Sequence, residues 1–121
     1  MRIGADYYPE HWEKERWKTD AEMMVKANIK VIRIGEFAWS LYEPEEGKYE
    51  FDWMDEALDF FGKYGIKVVM CTPSATPPKW MIDKYPDILQ NDIHGNPKLF
   101  GTRKHYCFNS ETYREKTKKL S

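Results

Sequence analysis

Three short apolar runs, set apart by stretches of helical spacing, limit what this chain can become. The runs are RIGADYY (Arg2 to Tyr8), KVIRI from Lys30, and IKVVMC (Ile66 to Cys71). The second and third are rich in β-branched residues, the side chains that fit a pleated, buried surface. Between the first two, Trp17, Ala21, Met24 and Ala27 recur at four, three and three residues, one face of a helix over Glu13 to Ala27. Asn28 is placed to take the left-handed position after it. Between the second and third, Asp52 is the expected N-cap of a helix whose buried stripe is Met54, Ala57, Leu58 and Phe61, with Gly65 at its stop. Strands alternating with helices specify right-handed βαβ units and a parallel sheet. Strand starts about 30 to 36 residues apart suit either a (β/α) barrel or a doubly wound sheet. No phosphate-binding glycine loop follows the first strand, so a dinucleotide fold is unsupported and the barrel is preferred.

After the third strand, TPSATPP places three prolines in seven residues and forbids regular structure. A short helix is expected around Lys79 to Lys84, with Pro78 near its first turn. Residues 85–109 read as a long irregular loop. Ser110 is a candidate N-cap for a last helix, with Lys118 and Lys119 in its final turn. The fold class is therefore α/β: the first three β/α units of a (β/α)8 barrel, incomplete in this chain. A whole barrel takes roughly 250 residues, and this chain has 121. Three strands alone leave open sheet edges that invite pairing. The expectation is an N-terminal piece of a longer domain, residues 1–121 ending before a fourth strand, or part of an assembly.

In parallel sheets ligands bind beyond the carboxyl ends of the strands. The stretch KVIRIGEFAWS, Lys30 to Ser40, ends its strand in Gly35, Glu36, Phe37 and Trp39, and so marks a site wall. Glu36 is the first candidate carboxylate. Arg33 interrupts an apolar strand and needs a partner. That partner is either a carboxylate from a missing strand or Asp6 or Glu36 within the chain. Trp39, Phe37 and Trp80 are candidates to line a sugar cleft, because an aromatic ring offers a flat apolar face. Asp6 and Tyr7 end the first strand and are within reach of the site floor. Trp12, Trp17 and Trp53 read as packing residues.

Composition excludes several classes. Nineteen basic against twenty acidic side chains give a net charge of −1, without the basic face of a nucleic-acid binder. The apolar runs are too short to span a membrane. The N-terminal residues show no signal-peptide core, which makes the cytoplasm the expected compartment. Two cysteines, Cys71 and Cys107, are too few for a disulfide framework.

GADYYPEHW, VIRIGEFAWSLYEPEEGKYEFDW, CTPSATPPKW and GTRKHYCFNS together resemble the N-terminus of glycoside hydrolase family 42 β-galactosidases, in order and over essentially all 121 residues. The resemblance implies a TIM-barrel retaining enzyme that removes terminal non-reducing β-D-galactose, with a β-galactoside substrate, no nucleic-acid or membrane partner, and a homo-oligomeric full-length parent. It places the acid/base glutamate, after an asparagine, at the end of the fourth strand and the nucleophile at the end of the seventh. No residue here matches either, so no catalytic residue is expected within this chain, and the chain alone is expected to be inactive. Glu36 then becomes a supporting carboxylate. Arg103 aligns with a substrate-binding arginine, and the expected substrate contacts are Arg103, Glu36, Trp39 and Arg33. Cys107 aligns with the first of four zinc-binding cysteines, which implies a structural zinc in the parent and no cofactor for catalysis; otherwise Cys107 is a small buried side chain. His105 falls outside the resembled pattern, and His94 lies in a turn with no ligand geometry. The competing reading is a non-catalytic sugar-binding or assembly module derived from a barrel glycosidase.

Overall fold

The computed structural model describes residues 3–101 and 104–121. In chain order the elements are β1 (Ile3–Asp6), α1 (Lys14–Lys26), β2 (Ile29–Ile34), α2 (Trp39–Tyr42), α3 (Asp52–Lys63), β3 (Lys67–Met70), α4 (Lys79–Lys84) and α5 (Glu111–Leu120). One-turn 3-10 helices occupy Pro9–His11 and Pro86–Ile88. The chain divides into two compact units, Met1–Glu36 with Phe51–Cys71, and Phe37–Glu50 with Thr72–Ser121.

The first unit holds a parallel three-stranded sheet in the order β1-β2-β3. Its alternation sorts the two faces. Ile32 and Ile34 of β2 are fully buried, while Arg33 between them is exposed. α1 packs on β2 and α3 on β3. The core consists of Trp17 and Ala21 from α1, Met54, Ala57 and Phe61 from α3, and Tyr7 and Ile66. Phe61 meets Tyr7 edge to face at 5.2 Å between ring centroids and Trp17 at 6.1 Å. Burying one such aromatic stabilises by roughly 1.5–3 kcal/mol. Gly4 is required by close approach: a Cβ there would stand 3.1 Å from the Val31 carbonyl oxygen. Asn28 (φ 58°) and Gly65 (φ 71°) take the left-handed conformation that ends α1 and α3.

Several boundaries differ from expectation. Phe51, not Asp52, is the N-cap of α3, and no side chain caps it. Asp52 is the first helical residue, and with Asp55 it lies in the turn where the helix dipole favours carboxylates. Ala27 lies just past α1 and is exposed, so the α1 stripe narrows to Trp17, Ala21 and a half-buried Met24. Leu58 is only half-buried.

The second unit has no strand longer than an isolated bridge among its described residues. Its core gathers Trp39, Met81, Ile82, Ile88, Tyr106 and Tyr113. Tyr106 and Tyr113 stack at 4.1 Å with an interplanar angle of 18°. The Tyr113 hydroxyl donates to the Ser74 carbonyl at 2.6 Å. Ser110 caps α5 as expected, accepting from the Tyr113 amide at 3.2 Å. α4 spans the expected Lys79–Lys84. The long loop is less irregular than its composition suggests, with bridges Leu89 to Tyr106 and Asn91 to Pro97.

Candidate functional site at the strand ends

In the first unit Asp6 and Arg33 are register partners on adjacent parallel strands, so their side chains stand on the same sheet face. Arg33 Nε donates to Asp6 Oδ1 at 2.8 Å and Nη2 to Oδ2 at 3.2 Å, a bidentate pair. Nη2 also donates to Glu36 Oε2 at 2.7 Å. Gly35 (φ 81°) turns the chain immediately after β2 and brings Glu36 back toward Arg33. The partner that Arg33 requires is thus found within the chain, as both Asp6 and Glu36. Hydrogen bonding to Asp6, followed by the charges of Asp6 and Glu36, raises the guanidinium pKa above its usual value.

This cluster is partly open: the side chains of Arg33, Asp6 and Glu36 are 43 %, 54 % and 23 % exposed. Asp6 commits both oxygens to Arg33, whereas among the described residues Glu36 Oε1 and the Arg33 Nη1 donors have no partner. A planar donor set beside a carboxylate oxygen can bind vicinal hydroxyls. Tyr7, adjacent in sequence, turns away into the core: its hydroxyl donates to Asp20 at 2.9 Å, and Asp20 also accepts from Arg16 at 2.8 Å. Burial, then this bond, drives the Tyr7 pKa upward.

In the second unit Trp39 is fully buried, and its indole N–H donates to Glu43 Oε2 at 2.9 Å. The expectation that Trp39 contacts substrate is therefore corrected: no face of the ring is open and its one donor is used. Trp80 is half-buried and donates to the Glu43 carbonyl at 2.8 Å. Glu43 itself is buried, 2 % exposed, and also accepts from the Gly47 amide at 2.8 Å. The sequence reading passed over Glu43. Its only signal was the Glu-Pro-Glu-Glu-Gly spacing, which puts a turn amide four residues after a carboxylate.

Cys107 is half-buried. Its amide donates to the Ile88 carbonyl at 2.6 Å and its carbonyl accepts from Ser110 at 3.1 Å. Among the described residues no group of three or more His, Cys, Asp or Glu side chains is placed to hold a metal. His105 is fully buried and His94 lies in an exposed turn organised by Asp92. Arg103, the leading candidate for substrate contact, lies outside the described residues.

Residues 6–121 match the model of the glycoside hydrolase 42 family, described as β-galactosidase. The chain belongs to this family. It is 50 % identical over 120 residues to the β-galactosidase BgaH of Haloferax lucentense, and 53 % identical over 118 residues to a β-galactosidase of Thermus thermophilus. Those alignments cover 99 % and 98 % of this chain and 18 % of each relative. Among solved structures, the β-galactosidase of Halorubrum lacusprofundi superposes with a TM-score of 0.94 at 47 % identity, covering 99 % of this chain and 18 % of that one. The cold-adapted β-galactosidase of Rahnella sp. R3 gives 0.95 at 43 % identity with the same coverages. The parallel β/α units superpose on part of these β-galactosidases, which are TIM barrels, and the chain spans about a fifth of the length of these relatives.

Proposed function

We propose that this chain forms the N-terminal part of a retaining β-galactosidase and supplies binding groups to a reaction whose acid/base and nucleophile lie outside it. The observation that carries this reading is the family match over residues 6–121, joined to the open Asp6–Arg33–Glu36 cluster at the carboxyl ends of β1 and β2. Retaining hydrolysis needs two carboxyl groups about 5 Å apart, one to protonate the leaving oxygen and one to form the glycosyl-enzyme. Asp6 and Glu36 instead share one guanidinium, an arrangement suited to orienting a sugar. In this reading Arg33 and Glu36 hold sugar hydroxyls, and Arg103 is a further substrate-binding residue by its position in the GTRKHYCFNS motif.

Structural zinc enters the proposal only through Cys107. One thiolate is one ligand of the four that such a site takes, so the described residues do not by themselves hold the ion and no step depends on it. A cytoplasmic location and a homo-oligomeric parent belong to the same reading. No helix among the described residues is long and apolar enough to cross a membrane.

The test is an assay of nitrophenyl β-galactoside and nitrophenyl β-glucoside with the 121-residue chain and with the protein of the complete reading frame. The expected result is no turnover by the chain alone, and cleavage of the galactoside with retention by the longer protein. Turnover by the chain alone, or a longer protein that cleaves the glucoside and not the galactoside, refutes the proposal.

A further inference from the structure

The pairing of Arg33 with Asp6 decides what the guanidinium can still bind. Two hydrogen bonds to Asp6 and one to Glu36 occupy Nε and Nη2. A guanidinium carries five donors, and the two on Nη1 have no partner among the described residues. Glu36 meets Arg33 through Oε2 alone. It lies only three residues along the chain from Arg33, and a guanidinium readily takes a carboxylate by both oxygens at once. Asp6 competes with that pairing. It fills the Nε–Nη2 fork, and Glu36 is left bound through one oxygen.

The backbone that carries Asp6 is fixed on either side. The Tyr7 amide donates to the Arg33 carbonyl at 2.9 Å, which continues the β1–β2 pairing one residue past Asp6. The Tyr7 side chain is buried, and its hydroxyl is bonded to Asp20. Asp6 therefore starts from an anchored backbone, and its short side chain has few rotamers to lose. Both of its oxygens already face the guanidinium. A group so placed serves a site by holding the plane of its neighbour.

We propose that Asp6 is a positioning residue: by pairing with the Nε–Nη2 fork of Arg33 it fixes the guanidinium plane and keeps the Nη1 donors and Glu36 Oε1 available to sugar hydroxyls. The proposal rests on the β-galactosidase reading. In the protein of the complete reading frame, kcat and KM for nitrophenyl β-galactoside are measured for Asp6→Ala and Asp6→Asn, and for Asp6→Ala with and without Arg33→Lys. Asp6→Ala is expected to lower kcat/KM about 10- to 100-fold, the range of one charge-assisted hydrogen bond. Asp6→Asn keeps one acceptor oxygen and is expected to recover part of that loss. Lysine keeps the charge of Arg33 but has no fork to hold, so in the Arg33→Lys background Asp6→Ala is expected to cost less than about 2-fold. A merely structural role costs the same in both backgrounds, and equal costs overturn the proposal. So does an Asp6→Ala enzyme as active as its parent. A crystal structure of Asp6→Ala reads the same point without catalysis: a guanidinium that turns onto both Glu36 oxygens or loses its order supports the proposal, and one that stays in place overturns it. If the complete protein cleaves no galactoside, the galactosidase reading has failed, and the crystal structure alone decides whether Asp6 holds Arg33.

Discussion

Replacing Glu43 by glutamine tests whether a buried carboxylate organises the second unit. Glu43 is 2 % exposed, and each of its oxygens has its own donor: Oε2 takes the Trp39 indole N–H at 2.9 Å and Oε1 the Gly47 amide at 2.8 Å. A glutamine of nearly the same shape keeps one carbonyl oxygen, and its amino group must face the other donor. One hydrogen bond to a charged acceptor, about 1.5–3 kcal/mol, is lost, and a buried donor is left facing a donor. Glu43→Gln is therefore expected to cost about 2–3 kcal/mol, and Glu43→Ala about 3 kcal/mol or more, since both donors lose their acceptor. Urea unfolding of the chain followed by tryptophan fluorescence measures the change as a shift in midpoint at constant slope. A cycle with Trp39→Phe isolates the indole–carboxylate pair, with an expected coupling of about 1–2 kcal/mol. A Glu43→Gln variant within about 0.5 kcal/mol of the parent, the range of ordinary surface changes, refutes the reasoning. So does a Trp39→Phe cost that is the same with and without Glu43.

Two further outcomes are expected. Glu46 accepts from Lys84, Lys116 and the Tyr85 hydroxyl, and these bonds lower its pKa from an ordinary 4.5 to about 2. A depressed folded-state pKa contributes stability that is present above pH 4.5 and lost as pH falls toward 2, so Glu46→Gln should flatten the acid limb of a stability–pH profile there, and an unaltered limb would count against the network. In the first unit, Phe61→Ala removes a fully buried ring packed on Tyr7 and Trp17 and should cost about 3–5 kcal/mol in urea unfolding; a loss below about 1 kcal/mol would mean that this packing is not maintained in solution.

Much of the first unit was legible because its signals are local. β-branched runs and one-face spacing placed β2, α1 and α3, and Asn28 and Gly65 marked helix ends through a conformation that few residues adopt. Ser110 and the Lys79–Lys84 helix were equally readable, from a hydroxyl cap and a proline boundary. At α3 the cap assignment failed because a good capping residue can also serve in the first turn, and the sequence does not separate the two.

The candidate site divides the same way. Gly35 and the carboxylate after β2 announced a wall at the strand end, and Arg33 on an apolar strand announced an ion pair. Which carboxylate answers it depended on strand register, which sets Asp6 beside Arg33 across 27 residues of chain. Trp39 looked the same in sequence whether it faced a cleft or a core; it became core because Met81, Ile82 and Tyr113, some 40 to 70 positions away, close over it. Local backbone preferences and hydrophobic spacing are written residue by residue, so the sequence alone determined the α/β class and the order of its elements. Burial and ion pairing are properties of neighbours brought together from distant positions, so only the tertiary structure decided that Glu43 is a buried acceptor, that Trp39 is packing, and that Arg33 stands between Asp6 and Glu36.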